Sequence, residues 1–189
     1  RGYEFDFVTT LDDMESPEQS YDDWVDLEIM LDQDVVPIWH YDEPYLLLET
    51  YLDMTTNGEV GLGGLVSSLF TDAHADTKAR TRDRIGSFCE EYPQRLRLFG
   101  ACDLPLLNAI KDTALSADSS FWLRGRRRGA GFYINTKTGN LCQANRWLME
   151  KLAPDYPDIR EILEMDGRER SIHNAKMLEQ FFNKGEGDD

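Results

Sequence analysis

The sequence predicts a helix-rich α+β domain with a small antiparallel sheet. Three observations carry this. Apolar residues make up 41% of the 189 positions and aromatics 11%, with four tryptophans, which is the composition of a packed core rather than of a disordered chain. Apolar positions recur at helical spacing over long segments, whereas period-two alternation is confined to short runs. Those runs do not alternate regularly with helices, and the clearest pair is split by a turn, as in a hairpin. A chain of this size buries roughly 70% of its unfolded surface, so a single domain over 1–184 needs no staples. Residues 185–189 read as a frayed acidic tail.

Taken in order, Tyr3, Phe5 and Phe7 alternate with Glu4 and Asp6 and predict a strand over 3–8. Residues 11–20, acidic and broken by Pro17, read as a loop. Residues 21–31 read as a helix with Ser20 as N-cap and Trp24, Leu27 and Leu31 on one face, although Val25, Leu27, Ile29 and Leu31 also alternate as a strand would. Pro37 makes 35–41 an edge strand or extended segment. Asp42 and Pro44 open a helix whose apolar face runs from Tyr45 to Met54 and which stops at Asn57-Gly58. The glycines of 61–64 read as close packing of small residues, leading into a short apolar helix. A helix over about 71–91 stops before Pro93. Leu96 and Leu98 make a short strand, and Asp103 with Pro105 starts a helix reaching about 115. Residues 121–123 are strand-like, and 132–135 with 140–143 form a hairpin across Thr136-Lys137-Thr138-Gly139. Three helices, over about 145–153, 157–165 and 171–183, close the chain, with Gly167 ending the second and Ser171 capping the third.

Charge is the most informative bulk property. Residues 1–60 hold 17 carboxylates and one base, Arg1, whereas residues 61–189 hold 19 of each, so the whole net charge of −16 sits in the first third. The chain divides accordingly into an acidic third, 1–60, and a charge-neutral remainder. The three cysteines, Cys89, Cys102 and Cys142, stand apart without a Cys-x-x-Cys pair, which predicts free thiols and a reducing, intracellular compartment, cytoplasmic or nuclear. The longest apolar stretch, Leu62 to Phe70, is about half the ~20 residues of a membrane span, so no membrane partner is expected. The chain opens on Arg1 and is expected to be a processed or truncated form.

Several residue groups are candidates for chemistry. Asp72-Ala73-His74-Ala75-Asp76 has metal-ligand residue types, but a helix there turns His74 away from the two aspartates, so Asp72 is assigned to the helix N-terminus. The run His40-Tyr41-Asp42-Glu43, followed by Glu49 and Lys78, has the ingredients of a metal-dependent nuclease or hydrolase, in which carboxylates hold Mg²⁺ and a base positions water. The spacing is unspecific, and Asp42 has a ready role as a helix cap. Gly58 to Gly64 lacks both the Lys-Ser/Thr of a P-loop and the Gly-x-Gly-x-x-Gly order. Arg124, Arg126, Arg127 and Arg128, hinged by glycines, predict an anion-binding loop, since arginine forks grip phosphates and carboxylates. Trp122, Phe132 and Tyr133 beside it are suited to stacking on bases. Lys78, Arg80, Arg82, Arg84, Arg95 and Arg97, interleaved with acids, read as a salt-laced helix surface. Ile172, Ala175, Leu178, Phe181 and Phe182 form a stripe for docking on the core.

The charge asymmetry sets the expected function. It points to a non-catalytic interaction or regulatory protein whose acidic third binds a basic surface on a partner or neighbouring subunit. Asp22, Asp23, Asp26, Trp24, Trp39 and Tyr41 supply the steering charges and the aromatic anchors. One alternative is an RNA- or nucleotide-binding protein acting through Arg124–Arg128, although nucleic-acid affinity comes mainly from neutralising phosphates and the chain is strongly acidic. The other is a metal-dependent nuclease or hydrolase using His40, Asp42 and Glu49. No cofactor and no bound metal is expected.

Overall fold

A computed structural model describes residues 7–10, 16–65, 69, 74–101, 103–118, 129–154 and 156–182. The chain forms two compact units, one of Arg1–Ala101 with Thr113–Asp118, the other of Cys102–Asp112 with Ser119–Asp189. The molecule is α+β and helix-rich, with seven helices and small sheets among the described residues.

In the N-terminal unit the elements are β1 (Val8–Thr9), α1 (Pro17–Leu31), β2 (Val35–Val36), β3 (Ile38–His40), α2 (Tyr45–Met54), β4 (Val60–Gly63), α3 (Ala75–Glu91), β5 (Leu96–Leu98) and β6 (Ser116–Ala117). Helix α1 begins earlier than the sequence pattern suggests. Ser16, not Ser20, is the N-cap, its hydroxyl accepting the Gln19 N–H at 3.3 Å. Pro17 occupies the first helical position, where its missing N–H and fixed φ are no handicap. Ser16-Pro17-Glu18-Gln19 is thus a helix start that resembles a loop only because of its proline. Helix α2 likewise starts after Pro44 with no side-chain cap, so Asp42 is an exposed turn residue rather than a cap.

The principal sheet is parallel, not antiparallel, with strands in the order β3-β4-β5-β6. Strand–helix–strand alternation is real here but hidden, because the strands are two to four residues long and β4 is half glycine. The glycine run therefore builds a central strand rather than a helix contact. Pro37 sits, as expected, in an extended segment whose strand β3 is the edge of this sheet. The Val36 carbonyl accepts from Thr10 and the Pro37 carbonyl from Gly61, so β2 pairs with β1 alone and β3 with β4 alone, and the segment changes partner at the proline. Its lost N–H falls at the handover between the two partners.

Side chains alternate across this sheet. Trp39, Leu62 and Leu98 share one face and are fully buried. Trp39 meets Phe88 of α3 edge to face with centroids 5.3 Å apart, and Ile85 and Leu48 are buried in the same unit. Trp24 of α1 packs on Tyr51 of α2 at 5.5 Å and donates its indole N–H to the Val35 carbonyl at 2.8 Å.

The C-terminal unit contains α4 (Leu104–Ile110), β7 (Gly131–Ile134), β8 (Leu141–Ala144), α5 (Arg146–Leu152), α6 (Pro157–Glu164) and α7 (Gly167–Phe182). Strands β7 and β8 form the expected antiparallel hairpin, and Asn108 of α4 bonds both main-chain groups of Leu141. Gly167 opens α7 instead of ending α6. The true cap is Asp166, whose carboxylate accepts the N–H groups of Arg168 and Glu169, while Ser171 lies buried one turn in. Helix α7 docks partly through polar side chains. Asn174 accepts the Phe132 N–H at 2.8 Å and donates to the Ala130 carbonyl at 3.1 Å, and Arg170 donates to the carbonyls of Ile162, Leu163 and Met165. In the expected apolar stripe Phe181 is buried, but Ile172 is exposed.

Candidate functional site

The face of the parallel sheet opposite Trp39 carries the chemistry. The register pairs Ile38 with Gly61, His40 with Gly63, Gly61 with Arg97, and Arg97 with Ser116. Two rows result. Nearer the amino ends run Ile38, Gly61, Arg97 and Ser116. One step further, by continuing the register, run His40, Gly63, Phe99 and Asp118. The ladder does extend that far, since Phe99 N–H donates to Leu62 and Asp118 N–H to Leu98.

The first row is braced by charge. Arg97 donates to the Glu59 carboxylate at 2.8 Å and to the Ser116 hydroxyl at 3.3 Å, and its guanidinium carbon lies 4.4 Å from the centre of the Phe7 ring. This assigns Arg97 to the sheet. Arg95 also serves structure, donating to the carbonyls of Gly58 and Leu52. Neither belongs to a helix surface.

The second row ends in reactive groups. His40 is buried at the end of β3. Glu43 folds back over the following turn. Its carboxylate accepts the His40 main-chain N–H at 2.9 Å and stands 3.7 Å from the imidazole Nδ1, while the Glu43 N–H donates to the His40 carbonyl. The imidazole lies against β4. A β-carbon at Gly63 would come within 2.6 Å of its Cδ2 and 2.9 Å of its Nε2, and one at Gly61 within 2.5 Å of the Phe99 ring. The two glycines of β4 thus make room for these two rings. Just past the row, Gly64 (φ +75°) and Gly100 (φ +72°) adopt left-handed backbone that turns the chain off the sheet with no side chain above it. Asp118 is exposed at the far end, beyond β6. Three strand spacings of about 4.8 Å separate His40 from Asp118, so the two stand about 14 Å apart. They cannot act on one atom, but they can hold the two ends of one elongated molecule.

The residues singled out from sequence are distributed as follows. Trp24 and Trp39 are core residues, at 1% and 0% exposure, and offer no ring to a partner. Asp22 and Asp26 are exposed on α1, Asp23 is half-buried and accepts from Gln19, and Tyr41 is half-buried near Gly64. Arg124, Arg126, Arg127 and Arg128 lie outside the described residues, as do Trp122, Asp72 and Cys102. Of His40, Asp42 and Glu49, only His40 enters the row, while Asp42 and Glu49 are exposed. Its carboxylate partner is Glu43. Among the described residues no three His, Cys, Asp or Glu side chains gather as a metal site, and no helix is long and apolar enough to cross a membrane. Phe99 and Asp118 escaped sequence reading, whereas Glu43 stood in the candidate run His40-Tyr41-Asp42-Glu43. The available signal was that two short apolar runs, Val60-Gly-Leu-Gly-Gly64 and Leu96-Arg-Leu-Phe-Gly100, both end in glycine.

A cavity of about 680 Å³ in the C-terminal unit is the rival location, lined by Tyr133, Leu152, Tyr156, Ile162, His173 and Met177 among others. Two of its polar groups, those of His173 and Tyr133, are held in place, and charged Lys137, Asp158 and Glu161 also line it. His173 Nε2 bonds the Phe132 carbonyl at 2.9 Å, and burial pushes the Tyr133 hydroxyl above its ordinary pKa. No family model matches the chain, and neither does any curated protein or solved structure.

Proposed function

We propose that the N-terminal unit is an enzyme-type module that binds an elongated polar small molecule along the carboxyl end of its parallel sheet. The observation that carries this is the row of His40, Gly63, Phe99 and Asp118. In this reading His40 is the acid–base group, imidazole being suited to moving a proton near neutral pH, and Glu43 holds its ring in place. Phe99 supplies a flat apolar wall, and Asp118 binds the ligand's far end. Topology supports the reading by analogy. Parallel strands laid down in sequence order, joined by helical crossovers, are the winding of (β/α) barrels, whose sites lie at the strands' carboxyl ends.

The test is a screen of sugar- and nucleoside-like fragments by amide chemical-shift mapping. Shifts should gather at His40, Gly63, Gly64, Phe99, Gly100 and Asp118. Asp118→Asn should weaken binding about tenfold or more without changing the melting temperature. Shifts confined to the C-terminal cavity would overturn the assignment.

A second reading, partner binding by the acidic third, is favoured by the charge of two helices. Helix α1 carries Glu18, Asp22, Asp23, Asp26 and Glu28, and α2 carries Glu49 and Asp53, with no base on either. Binding to a basic protein should weaken steeply with salt and fall when Asp22, Asp23 and Asp26 become asparagine. Indifference to both would reject it.

A further inference from the structure

We propose that the groove between α1 and α2 is a docking site for a cationic amphipathic helix of a partner protein, an inference that rests on the second reading above and gives it an address. The groove encloses about 430 Å³ and is lined by Pro17, Tyr21, Leu46 and Leu47 with the carboxylates Glu18 and Asp22. Its size falls within the range of clefts that accept ligands, roughly 300–1,000 Å³. Leu46 is 72% exposed at this groove, and Met54 further along α2 and Ile29 and Met30 on α1 are also largely exposed. An apolar groove rimmed by charge, as Pro17, Tyr21, Leu46 and Leu47 make with Glu18 and Asp22, is the kind of surface that marks an interaction site.

Charge narrows the occupant. Every charged residue on both helices is acidic. An anionic membrane or a nucleic acid would be repelled. A second copy meeting this face with its own, as in a symmetric dimer, would present the same carboxylates to itself. What remains is a segment with apolar anchors on one side and lysines or arginines flanking them, and a helix delivers that pattern at positions i, i+3, i+4 and i+7. The apolar side chains fill the groove while the cations meet Glu18, Asp22 and the acids that continue along α1. The carboxylates set encounter rate and orientation, and the groove sets residence time.

The probe is a synthetic helix of about 18 residues, five turns, made of leucine and lysine with all leucines on one face. Its control has the same composition with the leucines scattered around the helix. Binding to the full chain is measured by fluorescence anisotropy at low salt and mapped by amide chemical shifts. The amphipathic peptide should bind about tenfold or more tightly than its control, with shifts at Tyr21, Leu46, Leu47 and Thr50. Leu46→Lys, at an exposed position that should leave the melting temperature unchanged, should remove that advantage. Equal, salt-sensitive binding of both peptides that ignores Leu46→Lys would overturn the groove and leave the acidic surface standing. Absence of binding by either peptide would overturn both. Self-association of the free chain, abolished by Leu46→Lys, would make a second copy the occupant and refute the proposal.

Discussion

The two units differ in how their largest buried side chains are held. The N-terminal unit closes over rings and aliphatics, with Trp24, Trp39, Tyr51 and Leu62 almost wholly sequestered and both indole N–H groups donating to nearby main-chain carbonyls. The C-terminal unit seats its longest helix partly through Asn174 and Arg170, both buried. Apolar burial is strong but undirected, so its loss scales with the volume removed. A buried amide or guanidinium adds little net attraction, yet its removal leaves donors and acceptors stranded. One unit should therefore tolerate conservative reshaping, while the other should not tolerate even an isosteric loss of polarity.

The largest expected effect tests the first half of that contrast. Trp39→Ala should lower unfolding free energy by about 4 kcal/mol, the usual scale for truncating a buried indole. Trp39→Phe should recover a large part of it, because the edge-to-face contact with Phe88 survives although the bond to the Pro44 carbonyl is lost. Urea denaturation of the three proteins decides; no recovery by phenylalanine would break the contrast. Next comes Asn174→Ala, expected to cost about 3 kcal/mol by stranding the Phe132 N–H and the Ala130 carbonyl. Asn174→Leu should be no better, and a leucine that restored stability would show that volume rather than polarity matters there.

How much of this was legible in the sequence follows the same division. The helix starting at Asp103, the stop before Pro93 and the hairpin were readable because each is written in local chemistry: a cap, a proline, a turn between alternating runs. The parallel sheet was not. Its strands are too short to show a period, and β4 presents glycines that signal a loop unless one knows that the rings of His40 and Phe99 lie over them. Trp24 and Trp39, interleaved with acids, read as surface anchors, because one-dimensional neighbours do not reveal that α1, α2 and β3 close around them. Asp118, an unremarkable aspartate in the sequence, joins the row only through long-range register.

Smaller effects sharpen the picture of the sheet. Gly63→Ala should destabilise by about 2 kcal/mol, since the new methyl must displace the His40 imidazole. It should also perturb the His40 ring resonances, whereas Gly86→Ala, with open space around its Cα, should do neither. Thiol reactivity separates the units again. Burial, helped by Glu90, pushes the Cys89 thiol up to about 12, so at pH 8 it stays protonated and inaccessible. Native alkylation should label half-buried Cys142 well before Cys89; equal rates would show that α3 opens readily. The smallest effect is at Asp166, held below the ordinary carboxylate range by the N–H groups of Glu169 and Arg168. Because its folded pKa is lowered, its contribution is full above the ordinary value and disappears as pH falls through the lowered one. Acid titration of wild type against Asp166→Ala should converge there, and curves that stay parallel would refute the cap.

The Arg170 contacts have a kinetic consequence. A helix end normally frays because its last carbonyls can turn to water, but those of α6 are held by a guanidinium borne on the next helix, with Nε and Nη2 at 2.7–3.1 Å from Ile162, Leu163 and Met165. The final turn of α6 therefore cannot open while the first turns of α7 stay shut. In amide hydrogen exchange the two segments should share one opening free energy and form a single cooperative foldon, with the junction at Asp166 as its centre rather than its weak point.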